Sequence, residues 1–171
     1  MEFRLLKNNE IDVRIATVSE RGCSLLLYKD ARCDMNILDE TVGAMNWQRE
    51  HKIINDRLYC RVSVYDKEKG IWVYKEDVGT ESYTEKEKGQ ASDSFKRACF
   101  NWGIGRELYT APFIWINSND CNIKDKNSKK TCTDKFEVRK ITYDANKNID
   151  GLFIYNLSEK ANAFVKKPKE A

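Results

Sequence analysis

Two adjacent basic residues, Lys96 and Arg97, lie between Phe95 and Ala98 in a stretch of helical periodicity. On a helix they would project away from the apolar stripe, and cations held on a rigid element can neutralise phosphates. A second group interleaves basic and aromatic side chains: Tyr59, Arg61, Tyr65, Trp72 and Tyr74. Exposed rings beside cations can carry nucleic acid bases, so the two groups could form a surface for single-stranded nucleic acid. The alternatives are a solvated charged helix face, and aromatics buried under a helix or at a subunit contact.

Residue types that support most enzyme chemistry are scarce. The single histidine, His51, lies in a charged stretch with no nearby cysteine or serine, so we expect it on the surface. A glycine-rich phosphate loop, paired metal-ligand histidines and a Gly-x-Ser-x-Gly elbow are also absent. The sequence therefore favours a binding protein over an enzyme. The enzyme alternative is a metal-dependent nuclease that uses Glu76, Asp77 and Asp93 to bind magnesium.

The six cysteines are spaced too widely for a sequence-local ligand motif. They are Cys23, Cys33, Cys60, Cys99, Cys121 and Cys132, with no CxxC pair among them. We expect reduced thiols, no metal site and no cofactor.

Length, composition and charge further restrict the class of protein to which this chain can belong. The 171 residues fit one compact domain, and 41% hydrophobic with 33% charged residues predicts a globular chain. No apolar run could span a bilayer and no secretory signal is recognisable, so a cytoplasmic protein without a membrane partner is expected. The net charge of +3 is too small by itself to indicate nucleic acid binding.

Period-two alternation predicts several antiparallel strands, most clearly at 58–64, where apolar residues alternate with Tyr59, Arg61, Ser63 and Tyr65. Glycine at the end of the loop Asp66–Gly70 predicts a hairpin with a returning strand at 71–78. The other predicted strands are 11–18, 23–28, 47–55, 111–116 as an edge or covering strand, and a second hairpin of 136–143 with 152–155. The predicted class is α+β, with a long helix packed on an antiparallel sheet and a C-terminal hairpin.

Helical spacing of apolar residues predicts two helices. The short one spans 34–41, with Asp34 as N-cap and Gly43 as stop. The long one spans 84–102 and begins with a capping box formed by Thr84 and Glu87. A weak helical stretch follows Ser158, before the basic tail.

The same patterns suggest one domain in three parts. Residues 1–116 form the core, 117–135 are a polar loop or subdomain boundary, and 136–171 add the hairpin and the basic tail.

The segment 76–103 resembles the single-strand annealing family of the Rad-fifty-two type, and the stretch 88–116 is similar to the short versions carried by phages. The resemblance consists of Glu76-Asp77-Val78-Gly79 followed by a helix with Asp93-x-x-Lys96-Arg97-Ala98, closed by Trp102-Gly103. The short helix with Glu40, Gly43 and Trp47 is also similar. The resemblance implies a β-β-β-α domain that assembles into rings and anneals complementary strands without ATP, in homologous recombination and double-strand break repair.

The resemblance also implies site residues. Lys96 and Arg97 match the inner basic pair, whereas Phe100 and Cys33 stand where the family has further basic residues. Arg32, Lys88 or Arg106 would then compensate, and Lys67 and Lys69 are the candidates for an outer site. Single-stranded DNA, further copies of the chain and a host or phage single-strand-binding protein are the implied partners. Exposed aromatics, including Trp102 and Trp115, favour a homo-oligomer, and an end-protecting structural ring is the second alternative.

Overall fold

The computed structural model describes residues 1–80 and 86–168. The chain is α+β and its sheets are antiparallel, as predicted. It divides into two compact units. The helix unit comprises Met1–Leu5 and Ala31–Arg106, and the six-strand unit comprises Leu6–Asp30 together with Glu107 and the residues after it. The predicted core of residues 1–116 is thus shared between both units.

The elements follow one another in this order: short 3-10 helix Asn8–Glu10, β1 Asp12–Ser19, β2 Gly22–Tyr28, α1 Ala31–Val42, β3 Trp47–Ile54, β4 Arg57–Asp66, β5 Ile71–Val78, α2 Lys86–Trp102, short 3-10 helix Arg106–Thr110, β6 Ile114–Asn117, β7 Ile123–Lys126, β8 Lys129–Cys132, β9 Phe136–Tyr143, β10 Ile149–Asn156 and β11 Ala161–Lys166. None of the helices in residues 1–80 and 86–168 has the length and apolar character needed to cross a membrane.

The helix unit packs α2 on one face of a sheet with strand order β3-β4-β5. Cys60, Val62 and Val64 on β4 are fully buried, as alternation predicts for the inner face of a half-buried strand. Phe95 and Ala98 of α2 are equally buried. The strand predicted at 58–64 and its return strand at 71–78 are confirmed.

The short helix begins earlier than predicted. α1 starts at Ala31, so Asp34 lies buried in its first turn and is not the N-cap. The reason is that Cys33, Ile37 and Leu38 form one continuous buried stripe, which extends the helix upstream. Gly43 ends the helix as predicted: its φ is +87°, and its N–H donates to the Asp39 carbonyl. The capping box predicted for α2 at Thr84 and Glu87 lies outside the residues whose side chains are described.

The six-strand unit has the strand order β11-β10-β9-β1-β2-β6. β9 and β10 pair along their length, whereas β1 joins β9 through Asp12 and Glu137. β6 lies at the edge of this sheet, as predicted for 111–116.

Two segments that were not predicted to be strands contain strands in the structure. The predicted weak helix after Ser158 is wrong, because Ala161–Lys166 is β11 and pairs with β10. As a strand, this segment gains ladder hydrogen bonds with β10, and Phe164 lies opposite Ile154. These interactions outweigh its weak helix propensity. Within 117–135, expected to be a loop or a boundary, β7 and β8 form a hairpin.

Candidate nucleic-acid interface

The two basic residues on α2, Lys96 and Arg97, differ in whether an acidic side chain contacts them. Arg97 Nε lies 3.5 Å from Asp77 Oδ1 on β5, and this nitrogen is enclosed without a hydrogen-bond partner. The Arg97 side chain is still 43% exposed, so the rest of it reaches solvent. Lys96 is half-buried and makes no ion pair within the described parts of the chain. Lys96 is therefore the better candidate for a phosphate contact.

The C-terminal end of α2 engages two more cations. Arg106 donates from Nε to the Phe100 carbonyl and from Nη2 to the Asn101 carbonyl, both at 2.8 Å. Lys75 Nζ donates to the same Asn101 carbonyl and lies 4.9 Å from the Trp102 ring centroid. Carbonyls at a helix C-terminus lack intrahelical partners and carry partial negative charge. Arg106, predicted to compensate in the DNA site, thus caps the helix.

The opposite face of the three-stranded sheet carries the interleaved aromatics. Trp47 and Arg49 of β3 contact Phe95 of α2, so both lie on the face of the sheet that packs against this helix. Their cross-strand partners on β4 are Val64 and Val62, which therefore also face α2. By alternation, the next residues along each strand face away from the helix. We call this outer surface the aromatic face, and its residues are Tyr59, Arg61, Tyr65, Trp72, Tyr74 and Glu76.

The aromatic face is ordered by contacts among its own residues. Trp72 and Tyr74 are 44% and 52% exposed. Tyr65 and Trp72 are cross-strand partners, and their ring centroids are 5.3 Å apart. Arg61 lies over the Tyr74 ring and binds Glu76. The face therefore presents two rings that solvent reaches: Trp72 packs on Tyr65, and Tyr74 packs on a cation whose charge is already compensated.

The hairpin loop at the end of this sheet contains the two lysines predicted for an outer site. Asp66 Oδ1 accepts backbone N–H groups from Glu68 and Lys69, and Lys69 Nζ lies 3.4 Å from Asp66 Oδ2. The backbone bond from Lys69 is the largest cause that lowers the pKa of Asp66. Lys67 is exposed and makes no ion pair within the residues that the structure describes. Of this pair, Lys67 is the freer cation.

The remaining predicted site residues lie apart from this face. Arg32 is exposed in the first turn of α1. Cys33, at the position where the resemblance implies a basic residue, is buried. Lys88 belongs to α2, but its side chain lies outside the described residues.

The carboxylates of the nuclease alternative do not converge. Glu76 binds Arg61 on the aromatic face, whereas Asp77, the next residue, faces α2 and contacts Arg97 and Asn101. Asp93 Oδ2 accepts the backbone N–H and the hydroxyl of Thr80. Each carboxylate therefore has its own structural partner.

Two surface expectations need correction. Trp102, expected to be exposed, is half-buried: its indole N–H donates to the Val62 carbonyl and its ring meets Phe3 edge-on. Trp115 is also half-buried and stacks on Phe113. Trp102 continues the apolar stripe of α2, whereas Trp115 lies on the face of β6 opposite the buried Ile114 and Ile116.

One group of side chains that could hold a metal ion was missed by sequence reasoning. Cys23, Cys121 and Cys132 converge in the six-strand unit, although their spacing gives no local motif. All six cysteines are free thiols, as expected.

The chain matches no family model, no curated protein and no solved structure.

Proposed function

We propose that this protein binds single-stranded DNA and promotes ATP-independent annealing of complementary strands, as a homo-oligomeric ring. The observation that carries the proposal is the aromatic face, an outer sheet surface that presents the solvent-exposed rings of Trp72 and Tyr74 beside Arg61. The order of three antiparallel strands followed by a packed helix, β3-β4-β5-α2, is also the order that the resemblance implies.

Base stacking is the interaction that this face supports. Trp72 and Tyr74 can each offer a ring surface to a base, since every base has a π face and stacking tolerates any sequence. Such contacts are worth about 1–3 kcal/mol per base. A strand bound in this way is held by its bases in part, and bases must leave the rings before they pair with a second strand.

Phosphate contacts would come from separate cations. Lys67 stands in the loop at the end of the β4–β5 hairpin, and Lys96 lies on α2. Because α2 covers the inner face of the sheet, Lys96 and the aromatic face lie on opposite sides of it. We infer two DNA-contacting surfaces, one at the aromatic face and one at Lys96. A single strand would reach both by passing around the edge of the sheet or from one subunit to the next. Neutralised phosphates reduce repulsion between strands, and Watson–Crick pairing then supplies specificity.

A strand-annealing assay without ATP tests the proposal. Two complementary oligonucleotides, one labelled at each end for energy transfer, should pair faster with the protein than without it. No Gly-x-x-x-x-Gly-Lys sequence is present, so adding ATP should change nothing. The rate should rise until the strands are covered and then fall, because excess protein occupies both strands.

Matched variants assign the activity to the aromatic face. Trp72→Ala should weaken strand affinity by about 5- to 150-fold, the equivalent of about 1–3 kcal/mol. Phe113→Ala is the control, since Phe113 is 77% exposed but belongs to the six-strand unit. Absence of acceleration at every protein to DNA ratio would overturn the annealing proposal. Strand binding without acceleration would instead favour the end-protecting ring.

A further inference from the structure

Three cysteines from distant parts of the chain meet in the six-strand unit. Cys23 is the second residue of β2, Cys121 lies between β6 and β7, and Cys132 ends β8. Their Sγ atoms all lie within 4.8 Å of one another. Cys23 and Cys121 are buried, whereas Cys132 is half-buried.

The sulfur separations fit a metal ion better than a disulfide. A tetrahedral zinc ion about 2.3 Å from each sulfur places those sulfurs about 3.8 Å apart. The Sγ atoms of Cys23 and Cys121 are 3.9 Å apart. A disulfide would need about 2.0 Å, and it would leave the third thiol without a role.

Backbone pairing and side-chain hydrogen bonds hold the three cysteines in place. Cys23 pairs with Ile116 on β6, and Cys132 pairs with Ile123 on β7. Asp134 Oδ2 accepts the backbone N–H of Asn122 and a side-chain N–H of Asn156, both at 2.9 Å. These bonds fix the chain immediately after Cys121 and Cys132. Such outer contacts are what orient ligands in metal sites.

We propose that Cys23, Cys121 and Cys132 bind one thiophilic d10 cation, with Zn²⁺ as the expected ion. The ion replaces the thiol protons, which pass to solvent, and each sulfur binds as thiolate. The oxygens of Asp134 are occupied by Asn122 and Asn156, so the fourth position is left to a water that enters beside the half-buried Cys132. This site is independent of the proposed DNA contacts.

The proposed ion would stabilise a weak part of the fold. β7 and β8 have four residues each, and an isolated two-stranded hairpin is marginally stable in water. Coordination by Cys23 would tie the base of this hairpin to β2. Binding free energy at such a site adds to folding free energy.

Titration of the reduced, metal-free protein with Co²⁺ under anaerobic conditions tests the site. One Co²⁺ per chain should give the intense visible bands of tetrahedral cobalt and a near-ultraviolet thiolate charge-transfer band, and Zn²⁺ should bleach both. Cys132→Ser should weaken Co²⁺ affinity by at least about tenfold, since even the loss of an outer contact costs that much. Cys60→Ala is the matched control, because Cys60 is buried in the helix unit.

Three outcomes would overturn the proposal. One is the absence of tetrahedral cobalt bands, and another is undiminished binding by both Cys132→Ser and a second variant, Cys121→Ser. The third is a Cys23–Cys121 disulfide that forms in air while the reduced protein binds no metal. If Cys121→Ser fails to fold, the half-buried Cys132 still decides, and the unfolding temperature with and without Zn²⁺ gives a second readout.

Discussion

The Arg61 guanidinium carbon lies 3.7 Å from the Tyr74 ring centroid, while Arg61 Nε and Nη2 contact Glu76 Oε2 at 2.9 and 2.8 Å. The hydrogen bond to Glu76 is the largest cause that raises the pKa of Arg61. Arg61 is therefore a permanently charged group whose charge is already paired. We expect Arg61 to position Tyr74 on the aromatic face, in contrast to the phosphate contact that its residue type suggests.

Arg61→Met combined with Glu76→Gln should test that distinction, because the Arg61 substitution alone would leave the Glu76 carboxylate unpaired. The double substitution removes a cation–π contact worth about 0.5–1 kcal/mol, so strand affinity should fall by about two- to fivefold. The slope of log affinity against log salt should stay unchanged, because Glu76 already neutralises Arg61. Fluorescence anisotropy with a labelled strand at several salt concentrations measures both. A slope reduced by a whole phosphate contact would show that Arg61 binds the backbone directly.

Lys96→Ala, in contrast, should change the salt dependence of strand binding. Loss of one phosphate contact on a single strand reduces the salt slope by about 0.7, and it weakens binding equally for all sequences. Lys126→Ala is the charge-matched control, since Lys126 is exposed on the β7–β8 hairpin. Arg97 is a poorer probe because its replacement also leaves Asp77 unpaired. An unchanged slope in a folded Lys96→Ala protein would assign Lys96 to a solvated helix face.

Gly79→Ala should destabilise the helix unit. A Cβ at this position would lie 2.2 Å from the Gln90 carbonyl oxygen and 2.8 Å from the Ser94 nitrogen of α2. Overpacking of this kind costs about 1–3 kcal/mol or more, because backbone atoms cannot rotate away. Urea unfolding followed by circular dichroism measures the loss. Gly103→Ala is a useful comparison, since its Cβ would meet no atom within 4 Å and only its φ of +103° opposes the change. Equal stability of Gly79→Ala and wild type would mean that β5 and α2 are not so closely packed.

Oligomerisation should be visible by light scattering. On the three-stranded sheet, Trp72 and Tyr74 are exposed on the aromatic face, whereas Ile53 at 76% and Ile71 at 50% are exposed on the opposite face. Apolar surface of this kind marks interaction sites, and repeated contacts between unlike surfaces close into rings. We expect a particle whose mass is a multiple of 20.0 kDa. A 20.0 kDa particle at micromolar concentration, in both low and moderate salt, would contradict the ring.

Parts of the candidate site could be predicted because they depend on local pattern. The alternation at 58–64 placed Tyr59, Arg61 and Tyr65 on one face, since side chains in a strand alternate whatever the rest of the chain does. The partners of the charges could not be read in this way. Arg97, and not its neighbour Lys96, lies beside Asp77, because the helix rotation set by Phe95 and Ala98 decides which of the two cations faces β5.

The sequence by itself determined the α+β class, the β4–β5 hairpin, the body of α2 and the end of α1 at Gly43, because each depends on residues close together in the chain. Only the tertiary structure decided that β1 and β2 join β9 and β6, and that Ala161–Lys166 is a strand. Pairing between distant segments depends on which edges the folded sheet leaves available, and ladder hydrogen bonds then outweigh weak helix propensity. The meeting of Cys23 with Cys121 has the same origin. Ninety-eight positions separate them, and only the β2–β6 ladder brings their sulfurs together.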